Sequence, residues 1–230
     1  YEKEASILKD ITFQVKAGEK VALVGPTGSG KTTIINLLMR FYDIDSGSIQ
    51  IDGVNIHNYK ISQLREKIGI VLQDTFLFSG TIMENIRYGR LNASNEEVVA
   101  AAKMASAHSF IKHLPDQYET IITSGGSSLS QGQRQLLAIA RVILADSDIL
   151  ILDEATSSID TKTEIEIQRG LNRLSEGRTS FVIAHRLKTI ENADRILVIH
   201  HGTLIESGTH QELLQKKGFY SDLYESQFNI

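Results

Sequence analysis

The stretch from Val21 to Thr32 leaves this chain few folds to choose from. Four apolar residues, Val21-Ala22-Leu23-Val24, run into Gly25-Pro26-Thr27-Gly28-Ser29-Gly30-Lys31-Thr32, which fits G-x-x-x-x-G-K-[ST] at every position. Ile34, Leu37, Leu38 and Phe41 then recur at helical spacing, so the segment predicts a strand, a loop and a helix in that order. Phosphate chemistry explains the composition. Glycines let successive backbone N–H groups turn inward where a Cβ would obstruct a phosphate oxygen. Lys31 brings a compact positive charge for β- and γ-phosphates, and the Thr32 hydroxyl suits a Mg²⁺ ion. The helix N-terminus adds partial positive charge beneath them. Residues 25–32, with Thr33 in the first helical turn, form the expected nucleotide-binding set.

Three more apolar runs follow the same plan. Ile70-Val71-Leu72 ends at Gln73, Ile149-Leu150-Ile151-Leu152 at Asp153-Glu154, and Phe181-Val182-Ile183-Ala184 at His185. Continuous apolar runs of this length, separated by helical patterns, read as parallel strands buried on both faces. Ligands of open α/β sheets sit at the carboxyl ends of such strands. For any one strand, a polar terminal residue equally well marks where the chain leaves the core. Four together, one of them a phosphate loop, favour a site along one sheet edge. There Asp153 suits Mg²⁺, directly or through water, and Glu154 suits orienting and deprotonating an attacking water.

The expected fold is α/β: a P-loop NTPase core with a mostly parallel sheet, together with an N-terminal antiparallel β portion that the apolar runs do not themselves indicate, and a helical subdomain. The core is placed at about residues 1–73 and 147–230 and the helical part at about 74–146, with helices over Glu96–Met104, Ser109–His113 and after Ser130. Ser124-Gly125-Gly126-Ser127-Ser128 reads as a flexible run.

Leu129-Ser130-Gln131-Gly132-Gln133 narrows the reading. Ser130 and Gln133 form an S-x-x-Q capping box ahead of a helix with Leu136, Ile139, Ala140 and Ile143 on one face. A capped helix N-terminus is also an anion site, so the structural and the functional readings are compatible. At this point the sequence resembles the ABC ATPase family, whose signature is LSGGQ. The order of features matches too: Tyr1, the phosphate loop, Gln73, the signature, Asp153-Glu154, Ser158-Ile159-Asp160 and His185. The resemblance covers essentially the whole chain.

That resemblance implies roles. Two such domains would dimerise head to tail around two MgATP, so Ser130, Gly132 and Gln133 would serve the partner's nucleotide. Gln73 would sense Mg²⁺ and the attacking water, His185 would contact the γ-phosphate, and Tyr1 would stack on adenine. Asp160 would belong to the loop linking the two sites. The segments Phe76–Gly89 and Gly202–Leu213 look like the exporter branch, with a transmembrane domain preceding Tyr1 and the ATPase held at the cytoplasmic membrane face. Gln131 departs from the signature's glycine, and Ser124 stands where many exporters carry a glutamate. The second domain is an identical or a related subunit.

Composition removes other classes. There is no cysteine, which excludes disulfides and thiolate metal sites. The net charge of −4 argues against a nucleic-acid partner. No apolar stretch reaches the roughly 18 residues of a membrane span, and the start carries no signal-peptide pattern, so the piece is expected to be soluble. The chain has seven histidines, and the six besides His185 are read as mostly solvated, with no comparable strand-end position. The alternatives are an ABC importer ATPase, a soluble ABC ATPase, an ATP-holding module without turnover, and a P-loop kinase or GTPase; the last leaves the signature and His185 unexplained.

Overall fold

In the computed structural model, residues 7–72, 75–123, 125–126, 128–153, 159–183 and 187–228 are described. The chain enters β1 (Lys20–Val24), turns through the phosphate loop into α1 (Lys31–Leu38), and forms an antiparallel ribbon of β2 (Gln50–Ile51) and β3 (Val54–Asn55). Helix α2 (Ile61–Glu66) leads to β4 (Ile68–Val71). Strand β5 (Gly80–Thr81) is followed by α3 (Ile82–Arg87), α4 (Asn95–Met104) and α5 (His108–Ile111), then by its antiparallel partner β6 (Ile121–Ile122). After α6 (Gln131–Ala145) come β7 (Ile149–Asp153), α7 (Thr161–Ser175), β8 (Thr179–Ile183) and α8 (Leu187–Glu191). The chain closes with β9 (Arg195–His200), β10 (Thr203–Gly208), α9 (His210–Lys216) and α10 (Phe219–Phe228). The largest sheet has the order β10-β9-β1-β8-β7-β4.

Two compact units divide the chain: Tyr1–Ile68, Ile151–Glu154 and Thr179–Ile230 make one, Gly69–Leu150 and Ala155–Arg178 the other. In the first, β1 lies between β8 and β9 and is parallel to both, with Ala22 opposite Val182 and Ile196. Their carboxyl ends therefore share an edge, as the apolar runs predict for β1 and β8 but not for β9, whose run the sequence reading did not include. Strand β10 covers β9 antiparallel, with an irregularity between Leu204 and Glu206. Ala22, Val24, Ile196 and Val198 pack on one side with Ile190, Ala193, Leu213 and Tyr220, all buried. Removing such side chains from water is the main favourable contribution to folding. The expected antiparallel portion is the β2–β3 ribbon. Upstream of β1, half-buried Ile11, Phe13 and Val15 alternate with exposed Thr12 and Gln14, the two-residue period of extended chain.

Phe41 corrects the sequence reading. Helix α1 ends at Leu38, Arg40 takes φ 54°, and Phe41 emerges 51 % exposed, with the Arg65 guanidinium 4.8 Å from its ring centre. A left-handed backbone step stops an α-helix, so the spacing that places Phe41 on the buried face no longer applies. Leu72, read as the last strand residue before Gln73, likewise lies just past β4 and is exposed.

The second unit is built around α6, which packs against α3, α4 and α7. Its predicted apolar face, Leu136, Ile139, Ala140 and Ile143, is buried. Capping boxes at Thr81/Glu84 and Ser94/Glu97 start α3 and α4. Arg141 interrupts the apolar run of α6 because it binds locally: Nε donates to the Asn85 carbonyl at 2.9 Å, Nη2 to Asn85 Oδ1 at 3.2 Å and Nη1 to the Phe76 carbonyl at 3.3 Å. Buried Asn85 in turn accepts from Phe78 N and donates to the carbonyls of Phe78 and Thr81. Among the described residues no helix is long and apolar enough to cross a membrane.

Candidate functional site

The phosphate loop of the first unit is shaped by what lies behind it. A Cβ on Gly25 would fall 2.1 Å from the Ile199 carbonyl oxygen and 2.8 Å from Ser29 Oγ, so no side chain fits there. The turn between β9 and β10 fastens the loop from the same side, Gly202 N donating to the Ser29 carbonyl at 3.0 Å. Ser29 N closes a local turn onto the Pro26 carbonyl at 3.1 Å, and Ile34 N begins the helical ladder by donating to Gly30 O at 3.0 Å. Thr27, Gly28 and Thr32 are exposed, Gly25, Pro26 and Thr33 half-buried, and Ser29, Gly30 and Lys31 buried.

Lys31 points back into this loop. Its Nζ donates to the carbonyls of Gly25 at 2.7 Å and Pro26 at 2.9 Å. Burial pushes its pKa below the ordinary 10.5, and the Asp153 carboxylate partly offsets this. Asp153 ends β7 half-buried in the same unit, as the sequence predicts. A buried ammonium group beside a glycine-walled loop and a helix N-terminus fits a polyanionic ligand well: phosphate oxygens would supply the charge that burial removes. Ser29 Oγ is buried without a hydrogen-bond partner.

The signature lies in the second unit. Ser130 is the N-cap of α6: its Oγ accepts from Gln133 N at 3.2 Å, and Gln133 Oε1 accepts from Ser130 N at 3.0 Å. This is the capping box expected from S-x-x-Q. The Ser130 hydroxyl retains its proton for donation, and the residue is exposed. Gly132, two residues on, is buried. Gln131 and Gln133 are half-buried.

Tyr1, Gln73, Ser124, Glu154, Ser158 and His185 lie outside the described residues. Asp160 is described: its Oδ1 caps α7 by accepting from Thr163 N at 3.0 Å. The histidine reading needs correction. His200 is the last residue of β9, parallel to β1, so one of the six besides His185 does end a strand at that edge. The signal was in the sequence, since Ile196-Leu197-Val198-Ile199 before His200 repeats the pattern of the other runs. Nor are the six mostly solvated. His108, His200 and His210 are half-buried, and His108 and His210 bond Tyr118 and Tyr220 at 2.8 and 2.7 Å. A hydroxyl partner satisfies an imidazole nitrogen away from water.

Comparison with known proteins agrees with this geometry. The family model described as ABC transporter matches residues 8–157. An uncharacterised ABC transporter ATP-binding protein of Bacillus subtilis, YfiC, is 60 % identical over 228 residues, which is 99 % of this chain and 38 % of that protein. An ATP-binding/permease protein of Staphylococcus aureus (strain NCTC 8325), provisionally named for multidrug export, is 53 % identical over 226 residues, 98 % of this chain and 39 % of its own. The solved structure of a bacterial Atm1-family ABC exporter with ATP bound superposes with a TM-score of 0.92 at 45 % identity, covering 99 % of this chain and 40 % of that one. The chain belongs to the ABC transporter family, as its nucleotide-binding ATPase domain. It spans about two fifths of the length of the relatives it matches.

Proposed function

We propose that this chain is the ATP-driven motor of an exporter. It would bind MgATP at residues 25–33, pair head to tail with a second nucleotide-binding domain, and work on a transmembrane partner from the cytoplasmic face. The observation that carries the ligand assignment is buried Lys31, held by the Gly25 and Pro26 carbonyls opposite Asp153. Likeness to an Atm1-family exporter supports export over import. Among the described residues no three His, Asp or Glu side chains converge on a metal position. Mg²⁺ would be held by Thr32, Asp153 and Gln73, with phosphate oxygens and water completing its shell. The ion, when bound, neutralises charge on the β- and γ-phosphates.

The remaining roles belong to side chains. Glu154 would take a proton from the attacking water, Gln73 would orient that water, and His185 would donate to the γ-phosphate. Tyr1 would stack on adenine. Ser130, free to donate its hydroxyl proton, would bind the partner's γ-phosphate together with the first N–H groups of α6, with Gly132 and Gln133 beside it. Neither copy alone holds a full set of γ-phosphate contacts, so nucleotide favours closure and phosphate release reverses it.

Glu154→Gln tests this. It keeps shape and hydrogen bonding but removes the base, so turnover falls by about 10²–10⁴-fold while MgATP still binds. With its natural partner supplied, the variant accumulates as a dimer in MgATP, read by light scattering. Turnover near the wild-type rate removes Glu154 from the mechanism. A variant that binds ATP, does not turn over and stays monomeric removes the head-to-tail model.

A further inference from the structure

Gly132 takes no unusual backbone angle; it sits at an ordinary position in the first turn of α6. What forbids a side chain there is a neighbour in the same unit. A Cβ on Gly132 would fall 2.3 Å from Thr163 Cγ2 and 3.2 Å from Ile159 Cγ2. Two helical turns further on, the arrangement is mirrored: a Cβ on Gly170 of α7 would fall 2.9 Å from the Ala105 carbonyl oxygen and 3.3 Å from Ile139 Cγ2 of α6. From Gly132 to Ile139 on one helix, and from Thr163 to Gly170 on the other, the step is the same. Helices α6 and α7 thus run side by side in the same direction, each presenting a glycine to a branched side chain of the other. This is close packing in fixed register, with no slack for sliding.

The Thr163 methyl is held in place from its other side. Thr163 N donates to Asp160 Oδ1 at 3.0 Å, and its hydroxyl also bonds the Asp160 carboxylate. A threonine side chain has few χ1 wells, and turning the methyl away from Gly132 would break the hydroxyl bond. The cap of α7 therefore decides where the methyl points, and the methyl decides how closely the first turn of α6 approaches.

We infer that Thr163 is a positioning residue: through its contact with Gly132 it sets the Ser130 cap in register with Asp160, so that the starts of α6 and α7 move as one body. The functional half of this inference rests on the proposed role of Ser130 toward a nucleotide. It makes Gly132 a packing requirement within one chain, where the family resemblance assigns it to the partner's ATP.

The test compares Gly132→Ala, Thr163→Ser and the double variant in the 230-residue chain. Gly132→Ala should lower the unfolding midpoint of the nucleotide-free protein and cut kcat by about 100-fold, the scale of a 1 Å misplacement. Its affinity for a fluorescent ATP analogue should stay within about twofold of wild type, because the phosphate loop is untouched. Serine keeps the hydroxyl bond to Asp160 and removes the methyl. Adding Thr163→Ser should therefore restore both the midpoint and kcat. Thr163→Val, which keeps the methyl and the backbone bond to Asp160 and loses only the hydroxyl bond, should restore neither. If the midpoint recovers and kcat does not, positioning is refuted. If Thr163→Ser rescues nothing, or Gly132→Ala leaves the midpoint unchanged, the contact itself is refuted. Absence of turnover in the wild-type chain with its partner would overturn the motor reading instead, and the midpoints would still decide the register.

Discussion

The Lys31 ammonium group meets opposed demands from stability and from binding. Buried among loop carbonyls, it is charged at a lower pKa than in the unfolded chain. The unfolded state therefore binds more protons between that lowered value and 10.5. Stability rises with pH across this window, and below it a constant penalty remains. Lys31→Met removes the penalty and the phosphate ligand together. The nucleotide-free variant should unfold at a higher midpoint than wild type at pH 7, the difference narrowing toward pH 10.5. Its ATP affinity, titrated with a fluorescent analogue, should collapse. A variant less stable than wild type at pH 7 would show that the bonds to Gly25 and Pro26 outweigh desolvation. At this scale the sequence was informative where chemistry is contiguous. The octapeptide placed Lys31 at the start of the helix behind the loop, and the run before Asp153 placed that residue at a strand end. The Ile199 carbonyl behind Gly25, Asp153 opposite Lys31 and the Thr163 methyl against Gly132 come from distant chain segments, and no local spacing announces them.

Helix starts show how one local pattern serves two purposes. Ser94/Glu97 and Ser130/Gln133 are both complete capping boxes, and Thr81/Glu84 and Thr209/Glu212 repeat the arrangement. Each satisfies otherwise unpaired first-turn N–H groups, and replacing such a cap with alanine costs about 0.5–2 kcal/mol. Ser94→Ala and Ser130→Ala should therefore lower stability comparably in denaturant titrations. Only Ser130→Ala should depress ATP turnover, because only that hydroxyl is assigned a phosphate. Equal turnover in the two variants would reduce the signature serine to a cap. Elements were legible from sequence where an apolar run is continuous, as in β1, β7 and β8, or where apolar period and cap agree, as in α6. Phe41 failed because Arg40 adopts a left-handed angle that side-chain pattern does not encode. His200 failed through a run that was there to be read.

Over the whole molecule, the proposed nucleotide site exists only in the folded chain. Around the phosphate loop the first unit brings together Gly25, Asp153 and Ile199, drawn from the three separate segments that compose that unit. A ligand that binds only the folded form stabilises it by mass action, about 2.7 kcal/mol at a free concentration a hundred times its Kd. The unfolding midpoint of the wild-type chain should therefore climb with the logarithm of MgATP concentration, while Lys31→Ala should show no rise in scanning calorimetry. A flat wild-type response would mean the loop does not hold nucleotide. The same segment order has a consequence in time. Among the described strands β1 is synthesised first, yet both its neighbours, β8 and β9, come late, and the bond from Lys20 N to Asp194 Oδ2 joins residues 174 apart. At about 5–20 residues per second, the ribosome takes roughly 9–35 s to cover that gap. Throughout that interval the nascent phosphate loop has no floor beneath Gly25, and the strand that carries it offers both unpaired edges to whatever binds newly made chain.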